Sequence, residues 1–143
     1  MNYKDFNSLA DYLREVDCIN QGGCGVAAYF TYELFKEQGK SPEIVFWHRS
    51  DDKFYKKNYK AITTGKGKPV APAHAMVKLN GFYYDADGRH TKDEFGWYWD
   101  KELVVNEKLL LESLKAKNWN DDFDRNQEVP EMEKKIGLNL PTS

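Results

Sequence analysis

The sequence predicts one α+β domain spanning residues 1–143, and three observations carry that reading. Two segments near the N-terminus repeat apolar residues at helical spacing. A later segment alternates apolar and polar residues around an Asn-Gly turn. The 143-residue length suits a single domain and buries roughly 70% of the unfolded surface, enough for a core without metal or disulfide staples.

Phe6, Leu9, Ala10, Leu13 and Val16 share one helical face and predict a first helix of about three turns. Gln21-Gly22-Gly23 breaks that pattern. A second helix then runs from about Cys24 to Gln38 through Ala27, Ala28, Phe30, Leu34 and Phe35, with Gly39 in the C-terminal cap position. Ile44 to Trp47 reads as a short buried strand. The stretch from about Arg49 to Pro72 is long and polar. A connection of that length is expected to border a cleft and to move more than the sheet.

Ala73 to Asp87 predicts a hairpin turning at Asn80-Gly81. One face carries Ala75, Val77, Leu79, Phe82, Tyr84 and Ala86, a core face. The other carries His74, Met76, Lys78, Tyr83, Asp85 and Asp87. The cluster Phe95 to Trp99 is expected as core or strand. Asn106 is placed to cap a helix reaching about Lys117, and a polar stretch from Asn118 to Gln127 leads to a terminal helix near Pro130.

Composition narrows the function. Lys and Arg number 21 against 23 Asp and Glu, for a net charge of -2, which is not the basic footprint of a nucleic-acid binder. Mean hydropathy is -0.78, yet 15% of residues are aromatic, too many for a disordered chain. No apolar run approaches the roughly 20 residues that span a bilayer, and Met1 to Phe6 has no secretory character. Two cysteines make no disulfide framework. A cytoplasmic protein is expected, with no nucleic-acid and no membrane partner.

Cys24 is where the sequence becomes specific. It follows two glycines and opens a helix, where free N–H groups and the helix dipole favour a thiolate and can hold an oxyanion. A lone cysteine there is more often a packed one. His74 changes the balance, because the hairpin sets it beside carboxylates: Asp87 directly opposite, Asp85 diagonal. A histidine held by a carboxylate is oriented and made more basic, and lacks only a nucleophile. Cys18 reads as packing, His48 and His90 as solvent-facing. The Cys and His spacings match no zinc pattern and no phosphate-loop motif is present, so no metal and no cofactor is expected.

The stretches Gly23-Cys24-Gly25-Val26-Ala27-Ala28, His74-Ala75-Met76-Val77 and Gly81-Phe82-Tyr83-Tyr84-Asp85-Ala86 resemble the core of the papain-like superfamily, its transglutaminase-like members above all. The resemblance covers about Gln21 to Gly88. It implies a nucleophile helix packed on a small antiparallel sheet, with Cys24 as a partly exposed nucleophile, His74 as base and acid, and Asp85 as the orienting group. Register alone favours Asp87 in that last role. Gln21 is a candidate oxyanion donor. A different alignment puts Ala27 in the nucleophile position and leaves His74 and Asp85 idle. The implied activity is acyl transfer through a thioester, as a hydrolase (protease, peptidase or amidase) acting on a peptide, protein or small amide, ahead of a transglutaminase-like transfer to an amine. The competing reading is an inactive binding or inhibitory module of the same fold, of a kind compatible with a bacterial or phage origin.

Overall fold

Asp5 starts the first helix, α1 (Phe6–Glu15), by accepting the Ser8 backbone N–H at 2.9 Å. The computed structural model describes residues 1–52, 57, 60–61, 71–117 and 119–141. Helix α1 buries Phe6, Leu9, Ala10 and Leu13, the residues its spacing selects. A turn leads into α2 (Cys24–Glu37), which is buried on most sides. Gly39 follows with φ 76°, the left-handed backbone that ends many helices.

Five antiparallel strands form one sheet: β1 (Glu43–His48), β2 (His74–Leu79), β3 (Phe82–Asp85), β4 (Gly88–His90) and β5 (Lys101–Val105), in the order β4-β3-β2-β1-β5. Asn80 and Gly81 both have positive φ, 53° and 83°, as a two-residue turn requires. The turn sets Leu79 against Phe82, Lys78 against Tyr83 and Val77 against Tyr84, the register expected from sequence. Ala75, Val77, Leu79 and Ala86 accordingly join α1 and α2 in the main core. The opposite face holds a smaller cluster of Val45, Trp47, Met76, Tyr83 and Phe95.

Beyond the hairpin the structure corrects several expectations. Strand β3 stops at Asp85, and the chain reverses through Ala86 and Asp87 into β4, so Asp87 never stands opposite His74. Residues 95–98 form a turn after a short 3-10 helix (Lys92–Glu94), not a strand; Phe95 is buried while Trp97 is 81% exposed. Helix α3 (Glu107–Ser113) has the expected Asn106 cap, whose side chain accepts the Leu109 N–H at 2.8 Å. It ends short of Lys117 because Trp119 Nε1 donates to the Ser113 carbonyl at 2.7 Å and Arg125 donates to that of Leu114. Helix α4 (Arg125–Ile136) begins five residues before Pro130, capped by Asp124. Proline there forfeits one backbone bond, and burial of Met132 and Ile136 carries the helix past it. Of the long polar connection, most of 53–70 lies outside the described residues; Lys57, Lys60 and Ala61 are helical.

The segment before α2 is pinned by the segment before α4. Gly22 has φ 114°, and a Cβ placed there would stand 1.8 Å from the Asn120 carbonyl oxygen. Gly25 is confined less severely and by side chains, 2.8 Å from Leu114 and 2.9 Å from Trp119 by the same measure. Gly22→Ala combines a disfavoured backbone with a clash against main chain. It should cost at least about 2 kcal/mol, read as a lowered urea midpoint with an unchanged slope. A midpoint equal to wild type would mean that the 120 region is free to move aside.

Candidate active site

Three elements converge on His74. It is the first residue of β2, at the end of the strand, and only 7% exposed. Its Nε2 donates to Asp85 Oδ2 at 3.1 Å, so the acid at the end of β3 lies within reach across the hairpin. Cys24, the first residue of α2, lies near enough to the ring to raise its pKa. With Nε2 committed to Asp85, Nδ1 is the nitrogen left to face the thiol. Trp99 stacks on the imidazole, with ring centroids 4.5 Å apart and planes 12° from parallel.

The electrostatics follow from these contacts. Burial works against a charged His74, but hydrogen bonds to Asp85 and Cys24 outweigh it and push its pKa up to about 9. Burial also works against an ionised Asp85. Hydrogen bonds from His74 and His90 prevail and hold its carboxyl below the ordinary carboxylate value. The group is an imidazole that holds a proton firmly beside a thiol, with a fixed carboxylate behind it.

Helix α2 supplies the remaining element. Its N-cap is Gly23, which makes no side-chain cap, and the backbone bond from Ala27 N–H to Gly23 O is 2.9 Å. The N–H groups of Cys24, Gly25 and Val26 precede that bond in the first turn, the donors a helix cannot satisfy internally. They are placed to receive negative charge developing on an oxygen beside the Cys24 sulfur. Gln21 is exposed, in the turn ahead of the helix.

The structure therefore brings Cys24, His74 and Asp85 together. It sets Asp87 apart: that side chain accepts Asn20 Nδ2 at 3.1 Å, while the Asp87 backbone N–H donates to Asp85 Oδ1 at 2.9 Å. The Cys24 thiol is 6% exposed, more enclosed than expected. Cys18 is half-buried against the core, as a packing residue. Two histidines expected at the surface are not there. His48 is 4% exposed because β1 is an inner strand of the sheet, and burial lowers its pKa. His90 is drawn in because the chain reverses at Ala86-Asp87, which sets it beside Tyr83 and on the face of Asp85. Sequence reasoning missed His90 and Trp99. A two-residue turn read at Ala86-Asp87 would have found the first.

Among the described residues no group of three or more His, Cys, Asp or Glu is disposed to hold a metal ion, and no helix is long and apolar enough to cross a membrane. Compared with family models, with curated proteins and with solved structures, the chain matches none.

Proposed function

We propose that the protein is a cysteine-dependent acyl-transfer enzyme, a hydrolase with a papain-like or transglutaminase-like core. The observation that supports it most directly is the buried His74 held between Cys24 and Asp85. Cys24 Sγ, its proton already held by His74, attacks an amide or ester carbonyl carbon. The carbonyl π electrons move to oxygen, where the first N–H groups of α2 receive the charge. The tetrahedral intermediate collapses to a thioester, and His74 gives its proton to the departing amine or alcohol. Water, deprotonated by His74, then cleaves the thioester and restores the thiol. Asp85 keeps Nε2 protonated and the ring aimed throughout. The substrate class is a peptide, protein or small amide.

A panel of carbonyl electrophiles tests this on the intact chain, with labelling sites mapped by mass spectrometry. Cys24 should react at least about tenfold faster than Cys18, and His74→Ala should remove that advantage. Equal labelling of the two cysteines, or a Cys24 rate unaffected by His74→Ala, would leave the arrangement as packing.

A further inference from the structure

Asp85 does not serve His74 alone. While Oδ2 accepts from His74, Oδ1 accepts from His90 Nε2 at 2.8 Å. The other ring nitrogen of His90, Nδ1, lies 2.7 Å from Glu94 Oε2. The 3-10 helix just after β4 places Glu94 four residues beyond His90. A neutral imidazole has one donor nitrogen and one acceptor nitrogen. Between two ionised carboxylates both nitrogens are set to donate, which favours the imidazolium form of His90. The site is thus a line of five groups: Cys24, His74, Asp85, His90 and Glu94.

We propose that His90, fixed as a cation by Glu94, is a positioning residue that anchors Asp85 and draws part of its charge away from His74. This rests on the catalytic reading above for its consequence, since a general acid must release its proton as well as hold it. Asp85 undivided would grip the His74 proton. Two cations sharing one carboxylate repel each other, and the repulsion loosens that grip. The His90 contacts to Glu94 and Asp85 outweigh its own burial and raise its pKa, in keeping with a charged ring.

Among the described residues, the groups facing this line are few. Cys24 approaches from α2, Asp85 from β3 and Glu94 from the 3-10 helix. Trp99 covers His74 and Phe95 meets His90 edge-on, both uncharged. Tyr83, paired with His90 across the ladder, donates its hydroxyl to Glu102 at 2.5 Å. Among the described residues, the cation that acts on Asp85 opposite His74 is therefore His90.

The chain has three histidines, so imidazole titrations followed by NMR can be assigned by single substitution. His90→Gln keeps an amide donor toward Asp85 and removes the charge. His74 should then titrate higher by about one pH unit, the effect of losing a like charge in a partly buried site. Glu94→Gln alters an exposed side chain and should lower the His90 midpoint by about one pH unit. A folded His90→Gln in which His74 titrates as in wild type overturns the proposal. If His90→Gln does not fold, Glu94→Gln decides: a His90 midpoint that does not fall overturns it. A merely structural His90 would leave the His74 midpoint where it is in wild type. No substrate enters this measurement, so Cys24 can label as expected while His90 fails, and the reverse.

Discussion

Replacing Cys24 with alanine should abolish turnover of any acyl substrate, by at least about 10³-fold in kcat/KM, while the fold persists. The side chain loses one atom at a helix start, so the stability cost should be about 1 kcal/mol, far below that of truncating a large core residue. Among the described residues no aliphatic hydroxyl is placed to stand in: Thr31, the first in α2, is two turns away, and Ser8 belongs to the α1 cap. His74→Ala should fall as far, and the double variant no further, because nucleophile and base act as one unit. Turnover of an acyl substrate identified through the electrophile panel, with urea unfolding of each variant, gives both quantities. Full biological activity in a folded Cys24→Ala would reduce the arrangement to a scaffold and favour a binding or inhibitory module.

Asp85→Ala should be nearly as severe and should also destabilise the protein. It strips two imidazoles of their shared acceptor, one of them buried. Breaking a buried, hydrogen-bonded ion pair costs about 3–5 kcal/mol, and His90, still held by Glu94, escapes part of that loss. Asp87 cannot take over, since it lies in the β3–β4 turn and is bonded to Asn20. The pH dependence gives a second signature. His74 keeps its proton up to about pH 9 in the folded state against 6.5 unfolded. Its stabilisation is therefore complete below 6.5 and lost as pH rises toward 9. Asp85 is depressed, so its contribution is present above its unfolded value and lost as acid protonates the folded carboxyl. Denaturant midpoints for wild type should fall on both sides of a mildly acidic plateau. In Asp85→Ala both slopes should shrink; a wild-type-like alkaline fall would assign that slope to another group.

The helices and the first hairpin were legible because each follows a strong local rule: one apolar stripe, one cap, one Asn-Gly turn. Cys24 and His74 were legible for the same reason, each marked by a helix start or a strand start. The choice between Asp85 and Asp87 was not settled by register, because it depends on where β3 ends. Asp87-Gly88 is a turn signal, but the reversal falls one residue earlier, at Ala86-Asp87, after only four residues of strand. Once it does, Asp85 becomes the terminal residue of β3 and His90 arrives on its face. Strand β5 escaped notice because it is a short edge strand with mixed exposure, Lys-Glu-Leu-Val-Val, and only Val105 is buried. The site role of Trp99 was hidden by its neighbours, since the same aromatic run also places Phe95 in the core and Trp97 in solvent.

The close fit of Gly22 under the Asn120 carbonyl, and of Gly25 under Leu114 and Trp119, sets an order of events during synthesis. The nucleophile helix is made early, but the parts that clamp its first turn leave the ribosome roughly 100 residues later, at least about five seconds behind at ordinary elongation rates. Over that interval the helix lacks the contacts that close over Gly22 and Gly25. His74 and Asp85 emerge in between, so base and acid can pair before the thiol is locked against them. The first turn of α2 is thereby fixed only once the segment before α4 has emerged: a nascent fragment that stops short of Asn120 carries the thiol without that clamp.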